Sequence, residues 1–121
     1  MNRKQTIIPK RGEIWLIEFP KNKENRKPWR PCLIISNNIQ NEHDIFLVLA
    51  PLTSDDLKIV RPFELLIIKN KENGLDQNSK VLFNQIHSID KIARCQKYLG
   101  RLETNFLEEA DKKLKLVLAL E

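Results

Sequence analysis

The segment "RPCLIIS" (residues 30–36) joins a basic residue directly to a short apolar run. Residues 32–36 predict a β-strand that is apolar on both faces, which is typical of a central strand in a sheet. Pro31 biases Arg30 toward an extended backbone, so the direction in which the arginine side chain leaves the chain is set. The segment therefore predicts a buried strand with a positive charge at its mouth.

Further strands are predicted on both sides of this segment, wherever an apolar run lies between turn residues. They cover residues 14–19, 45–50, 63–68, 81–86 and 97–102. Residues 20–30, "PKNKENRKPWR", are polar, basic and interrupted by prolines, which favours a mobile loop. Residues 37–44, "NNIQNEHD", also indicate a polar loop, and Pro51 is expected to end the third strand. Gly100 is expected at a bulge or a close backbone approach.

The end of the chain has a helical period instead. From Asn105 onward the apolar residues recur at helical spacing, at Leu107, Ala110, Leu114, Val117 and Leu118. One amphipathic helix is therefore expected to close the chain. Six short strands followed by this helix predict a mainly β (α+β) fold, a compact barrel of antiparallel strands with the helix packed against it.

Charge is concentrated near the N-terminus. The 121 residues carry a net charge of +5, yet residues 1–30 hold nine Lys or Arg against three acidic residues, a local net of +6. Such a segment attracts polyanions such as RNA or DNA, or acidic proteins, although a lysine-rich loop can also serve solubility alone. The length predicts one domain over residues 1–121, with residues 1–9 as a flexible basic tail.

Several function classes are disfavoured by the sequence. It contains no Gly-rich phosphate loop, HExxH, GxSxG or Cys/His cluster at metal spacing, so no metal and no cofactor are expected. Cys32 and Cys95 form no CxxC pair and follow no secretory leader, which favours a reducing, cytoplasmic setting. The apolar runs are too short to cross a bilayer, so no membrane association is expected.

Polar residues at the predicted strand ends are the candidates for chemistry. The Arg30 guanidinium can donate two parallel hydrogen bonds to a phosphate, although pairing with a nearby carboxylate is equally open. Thr53 and Ser54 follow a buried strand, where their hydroxyls either face a ligand or cap their own turn. His87 can act as an acid or a base near neutral pH, or be an ordinary surface residue.

The remaining candidates are aromatic or sulfur-containing. Trp29, beside the basic cluster, can stack on a nucleobase or form a lid over the edge of the core. Trp15 lies within a predicted strand and is expected in the core, and Cys32 is expected to be a small buried side chain.

Taken in order, these segments resemble the MazF/PemK family of toxin endoribonucleases. The resemblance rests on "RGEIWLIEF", "RPCLIISNN", "LAPLTSD", "NGL", "VLFNQIHSIDK" and "LGRL", followed by the amphipathic helix, and it covers residues 10–118. It implies an SH3-like or CcdB-like barrel of six to seven antiparallel strands and a homodimer. It also implies metal-independent, sequence-selective cleavage of single-stranded RNA by a toxin that a cognate antitoxin neutralises.

The resemblance further implies roles for single residues. Arg30, before proline, and Thr53, in the turn after the third strand, match positions of the family's catalytic site. Attack by a ribose 2′-OH would leave 2′,3′-cyclic phosphate and 5′-OH ends. His87 stands where relatives often carry a basic residue, and it is a possible acid or base. The expected RNA contacts are Lys27, Trp29, Ser54 and Gln85. Residues 21–29, "KNKENRKPW", depart from the Gly-His-Glu-like or Gly-Ser-Glu-like segment of many relatives.

Two alternatives on the same fold stay open. The predicted barrel also resembles CcdB, a toxin that binds DNA gyrase and cuts nothing, and a fold does not decide a function. The other alternative is a general RNA-binding module that holds single strands through Trp29 and the lysines. The pairing of Arg30 with Thr53 favours the nuclease.

Overall fold

Strands make up most of the regular structure of the chain. The computed structural model describes residues 8–19 and 28–120, and within them the chain forms seven strands and three helices. The strands are β1 (Glu13–Glu18), β2 (Trp29–Ile34), β3 (Phe46–Thr53), β4 (Glu64–Ile67), β5 (Ser79–Leu82), β6 (His87–Asp90) and β7 (Cys95–Arg101). The helices are α1 (Asn38–His43), α2 (Lys91–Arg94) and α3 (Thr104–Leu118).

All of these strands belong to one antiparallel sheet. Its order is β4-β5-β3-β2-β1-β7, with β6 paired to β3. The first half of β3 pairs with β6 and its end pairs with β5, while β2 runs along its other side. The predicted mainly β fold with a C-terminal helix is therefore confirmed, and β3 is the strand around which the sheet is organised.

The central strand β2 is buried on both faces, as the sequence predicts. Leu33 belongs to a core that includes residues of α3, here called the helix-side core, whereas Cys32 and Ile34 belong to a second core on the opposite face. The helix-side core consists of Ile14, Leu33, Ala50, Leu52, Ile67, Leu75, Val81, Phe83, Leu102 and Ala110. The second core consists of Trp15, Ile17, Phe19, Cys32, Ile34, Leu47, Leu49 and Ile89. The predicted core positions of Trp15 and Cys32 are thus confirmed.

The sheet curls without closing into a barrel. In the described ranges no ladder joins the edge strands β4 and β7. The rings of Phe19 and His87 nevertheless lie 5.1 Å apart, although β2 and β3 separate β1 from β6 in the sheet. The N–H of Arg101 in β7 also donates to the carbonyl of Glu72, in the turn after β4, at 2.9 Å. The predicted barrel is therefore corrected to an open, strongly curled sheet whose edges meet through a turn.

The turn that reaches β7 is held together by the buried side chain of Asn73. This side chain bonds three backbone groups: the N–H of Asn70, the N–H of Leu75 and the carbonyl of Ile68. Gly100 of β7 lies against the turn so closely that an added Cβ would meet the Glu72 carbonyl oxygen at 2.2 Å. The predicted close approach at Gly100 is confirmed, and it requires a residue without a side chain.

Two predictions between residues 37 and 53 were wrong. The predicted polar loop contains helix α1, which the Asn37 side chain caps by accepting from the Gln40 N–H at 2.8 Å. The inward residue of this helix is Asn41, which is fully buried and donates to the Ser36 carbonyl at 3.0 Å. An inward amide leaves no apolar periodicity to detect. β3 also continues through Pro51, because the pairing of its last residues with β5 outweighs the one ladder donor that proline lacks.

The prediction was also wrong around the fifth strand. β5 spans Ser79–Leu82 instead of residues 81–86, and the chain then forms β6 and α2, which no pattern had indicated. In β6 only one residue, Ile89, is buried, which is too little for a strand signal. α2 begins where the Asp90 side chain accepts from the N–H groups of Ile92 and Ala93.

Part of the predicted N-terminal tail belongs to the fold. Residues 1–7, and residues 20–27 of the predicted mobile loop, lie outside the described residues, whereas Pro9 is buried. No helix within residues 8–19 and 28–120 combines the length and the apolar character needed to span a membrane.

The contact between β7 and the turn can be tested with Gly100→Ala. We expect this variant to lose about 2 kcal/mol of unfolding free energy, because the new Cβ must push backbone atoms aside. Urea denaturation measures the loss. Lys97→Ala changes an exposed residue of the same strand and should stay within about 0.5 kcal/mol of the parent protein. Equal stability of the two variants would contradict the close packing.

Candidate active site

The register of β2 and β3 brings two predicted site residues together. Cys32 lies opposite Pro51, and the same antiparallel register continued by two residues places Arg30 opposite Thr53. Side chains of directly opposite residues leave the same face of a sheet, with Cβ atoms about 5 Å apart. The two side chains therefore emerge side by side at the end of the central strands, on the face of the second core.

Arg30 is partly buried and oriented by the neighbouring strand. One terminal nitrogen of its guanidinium, Nη2, donates to the carbonyl of Leu52 at 3.2 Å. Among the described residues it forms no ion pair with a carboxylate, so the alternative of a structural salt bridge finds no partner there. A guanidinium carries five N–H donors, so this single bond leaves the capacity for a bidentate contact to a phosphate.

The hydroxyl of Thr53 is held by the turn that follows it. Its Oγ1 accepts a hydrogen bond from the N–H of Asp55 at 3.1 Å. The predicted capping of the turn is therefore present. A hydroxyl that accepts in this way still has its own proton to donate. The Thr53 hydroxyl can therefore cap the turn and donate to a ligand at the same time. The capping bond restricts the direction in which the hydroxyl can donate.

His87 opens β6 and faces the same side of the sheet. It pairs with Leu49, a residue of the second core, and its ring meets the edge of Phe19. Burial lowers the pKa of His87 below its ordinary 6.5, and the positive charge of Arg30 lowers the pKa further. The imidazole is therefore mainly neutral at neutral pH, which is the form that accepts a proton.

The structure places the other predicted site residues elsewhere. Trp29 is the neighbour of Arg30, and Ser54 is the neighbour of Thr53. Because successive side chains of a strand point to opposite faces, both lie on the face opposite to Arg30 and Thr53. Trp29 is 47% exposed, so it is not a closed lid over the core. Gln85 lies exposed in the turn between β5 and β6, and Lys27 is outside the described residues.

Ser54 borders a small cavity on the helix-side face of the sheet. Its volume is about 130 Å³. The lining residues are Pro31, Leu52, Ser54, Leu75, Asp76, Gln77 and Ser79. The cavity therefore opens behind the pair formed by Arg30 and Thr53, across the thickness of the sheet.

The sequence analysis missed a buried ion pair beside this site. Lys80 and Glu64 are 3% and 5% exposed, and the Lys80 Nζ lies 3.1 Å from the Glu64 Oε1. Burial by itself would raise the pKa of Glu64, but a hydrogen bond from the Arg61 N–H and the Lys80 ammonium hold that pKa below its ordinary value. A lysine at the start of an apolar run is normally predicted to lie on the surface. The predicted strand therefore began at residue 81, and the burial of Lys80 was missed.

Neither thiol is suited to nucleophilic chemistry. Burial raises the pKa of Cys95 to about 12 and also raises the pKa of Cys32. Both therefore stay protonated at neutral pH, and the thiolate is the reactive form. In the part of the chain that the structure describes, no group of three or more His, Cys, Asp or Glu side chains is arranged to hold a metal ion.

The open, curled β-sheet with one C-terminal helix is the fold of solved MazF structures. MazF from Deinococcus radiodurans superposes with a TM-score of 0.76 at 23% identity, over 94% of this chain and 99% of that one. An endoribonuclease in complex with its cognate antitoxin from a mycobacterial species also gives 0.76, at 22% identity, over 93% and 97% of the two chains. At these identities the likeness establishes the fold.

The sequence comparisons extend the likeness to the family. The sequence model of the family described as "PemK-like, MazF-like toxin of type II toxin-antitoxin system" matches residues 10–118. Endoribonuclease EndoA of Bacillus subtilis (strain 168) is 29% identical over 115 residues, which cover 94% of this chain and 97% of EndoA. The chain therefore belongs to the PemK-like, MazF-like toxin family of type II toxin–antitoxin systems, and the predicted family membership is confirmed.

The electrostatic coupling in the site can be tested by removing the Arg30 charge. In Arg30→Gln we expect the pKa of His87 to rise, because repulsion by the guanidinium is one cause of its lowering. The pKa should remain below 6.5, because burial, the larger cause, persists. An NMR titration of the His87 ring protons measures both values. Lys112→Gln removes an equal charge from an exposed position on α3 and should leave the pKa of His87 unchanged. The same pKa in all three proteins would contradict the coupling.

Proposed function

We propose that the protein is a metal-independent, sequence-selective endoribonuclease that cleaves single-stranded RNA. The observation that carries this proposal is the position of Arg30 opposite Thr53 at the end of the central strands, on the same face as His87. The names of relatives, Endoribonuclease EndoA among them, point the same way.

The proposed reaction is an internal transesterification. The 2′-oxygen of a ribose attacks the adjacent phosphorus, the bond from phosphorus to the 5′-oxygen breaks, and the products are a 2′,3′-cyclic phosphate and a 5′-OH. His87 takes the 2′-OH proton, and the leaving 5′-oxygen takes a proton from solvent. Negative charge grows on the non-bridging oxygens in the transition state, where the Arg30 guanidinium and the Thr53 hydroxyl donate to it.

Two features of the chain suit binding to single-stranded RNA. The local excess of positive charge in residues 1–30 attracts the phosphate backbone, and the exposed Trp29 offers a face on which an unpaired base can stack. We assign Lys27, Trp29, Ser54 and Gln85 to RNA contacts outside the reacting phosphate. Ser54 would act at the cavity behind the pair of Arg30 and Thr53, where it can influence which base is accepted.

The proposal includes the setting of a toxin. A cognate antitoxin protein is expected to neutralise the enzyme, since a mycobacterial endoribonuclease forms a complex with its cognate antitoxin and MazF of Deinococcus radiodurans forms one with MazE. We further propose a homodimer that works in the cytoplasm, where its RNA substrates are made.

A cleavage assay with site variants tests the proposed function. Wild-type protein should cut a long single-stranded RNA at discrete positions in excess EDTA and leave 5′-OH ends. Arg30→Ala and Thr53→Ala should each lower the cleavage rate about 10²- to 10³-fold, because each removes a donor to the transition state. Thr53→Ser retains the hydroxyl and should keep most of the rate.

Matched controls separate these effects from general damage. Arg101→Ala and Thr104→Ala change exposed residues of the same types outside the site and should cleave at the wild-type rate. Circular dichroism confirms that every variant is folded. Intact RNA with folded wild-type protein would contradict the proposal and would favour a CcdB-like toxin that binds its target. RNA binding without any product would favour the binding module.

The pH dependence of the cleavage rate tests the role of His87. The rate should rise with pH as the imidazole loses its proton, at a pKa below 6.5, and should level off near neutral pH. His87→Gln should lack this rise and cleave about 10²-fold more slowly at the plateau, the size of effect that general-base catalysis commonly supplies. Retention of the wild-type pH profile in His87→Gln would remove this residue from proton transfer.

A further inference from the structure

Lys80 is almost completely buried. Its side chain is 3% exposed, and it occupies a position of β5 at which the flanking residues are also buried. Lysine is almost never buried to this degree unless its charge is paired, because an ammonium loses its hydration on burial. A specific arrangement of acceptors must therefore hold it in place.

The acceptors of Lys80 come mainly from one loop. Its Nζ donates to the carbonyl of Asp56 at 2.9 Å and to the carbonyl of Ile59 at 2.8 Å, and it pairs with the Glu64 carboxylate. These three contacts use the three donors of an ammonium group. Lys80 thus anchors residues 54–60, here called the Thr53 loop because they follow Thr53, to strand β5 of the sheet.

The sheet register puts this lysine next to the candidate active site. Thr53 pairs with Lys80 across β3 and β5, and the continued register of β2 and β3 puts Arg30 on the other side of Thr53. Arg30, Thr53 and Lys80 therefore form one row across three strands, with their side chains on the same face. The two outer residues of this row differ in exposure. Lys80 is buried, whereas Arg30 is only partly buried and can reach a ligand.

The Thr53 loop connects the lysine to the threonine hydroxyl. Asp56 adopts a left-handed backbone conformation, with φ at 57°, which is uncommon outside glycine, and its carbonyl is one of the groups that Lys80 holds. The preceding residue, Asp55, donates its N–H to the Thr53 Oγ1. Holding the Asp56 carbonyl therefore restrains the short segment that carries the Asp55 N–H, and the position of this N–H restricts the direction in which the Thr53 hydroxyl can donate.

We propose that Lys80, ion-paired to Glu64, is a positioning residue of the active site, which holds the Thr53 loop so that the threonine hydroxyl donates toward the scissile phosphate. This inference rests on the proposed function. Stability alone does not explain the pair, because replacing a buried ion pair by apolar side chains of similar volume is often neutral or stabilising.

The test replaces the pair without leaving a charge unpaired. In Lys80→Met/Glu64→Met both side chains keep similar length, and the fold should survive. Arg61→Gln is the matched control, because it removes an exposed charge beside Glu64 and leaves the buried pair and the Arg61 N–H in place. Should the methionine pair fail to fold, Lys80→Gln/Glu64→Gln takes its place in the same measurements.

The first measurement is independent of activity. Hydrogen exchange followed by NMR should speed up at the Asp55 amide of the double variant by about tenfold or more, because local opening becomes easier once the loop anchor is lost. Amides of α3 should exchange as in the wild-type protein. Arg61→Gln should resemble the wild-type protein in both regions.

The second measurement uses steady-state cleavage of an RNA with one cut site. The kcat of the double variant should fall about 10- to 100-fold with KM nearly unchanged, because a misplaced donor weakens the transition state more than substrate binding. Thr53→Val added to the double variant should cost less than about twofold more, since the hydroxyl already lacks its orientation. Arg30→Ala added to the double variant should still lower the cleavage rate by about 10²- to 10³-fold.

Two outcomes would overturn the inference. One is a folded double variant with wild-type kcat or wild-type exchange at Asp55. The other is a Thr53→Val effect that is as large in the double variant as in the wild-type background. If wild-type protein cleaves no RNA at all, the proposed function fails separately, and the exchange measurement then still decides whether Lys80 holds the Thr53 loop.

Discussion

The burial of β2 and β3 on both faces is the constraint on which the rest of the structure depends. Leu33 and Ala50 face the helix-side core, whereas Ile34 and Leu49 face the second core. Strands that are apolar on both faces must be covered twice. Helix α3 and the strands β4 and β5 contribute to one cover. The curl of β1 and β6 toward each other supplies the other, and it brings His87 against Phe19.

The candidate active site is a continuation of this pairing. The register that aligns the apolar residues of the central strands also aligns the polar residues beyond them, so Arg30, Thr53 and Lys80 fall into one row. A slip of one residue would turn Arg30 to the helix-side face and expose the second core at the same time. The strand register that buries the core residues therefore also determines the relative positions of Arg30 and Thr53, the groups proposed to contact a phosphate.

The parts of the fold that could be predicted are those in which apolar residues follow a local period. The strands around residues 14–19 and 45–50 and the helix α3 were found because their inward residues are apolar. α1 was missed because its inward residue is Asn41, whose burial depends on hydrogen bonds to Ser36. β6 was missed because it buries little beyond Ile89.

Local sequence patterns were enough to predict a buried central strand that begins after Arg30, a hydroxyl cluster after the next strand and a closing helix. These features follow from apolar patterns and from the local restraint of Pro31, which act between neighbours in the chain. Three features depend on contacts between distant segments and emerged only from the folded chain: Trp29 and Ser54 lie on the other face, no ladder joins β4 to β7, and Lys80 is buried. The lysine and the Asp56 carbonyl are 24 residues apart, and a lysine becomes a buried anchor only where acceptors from distant segments converge on it.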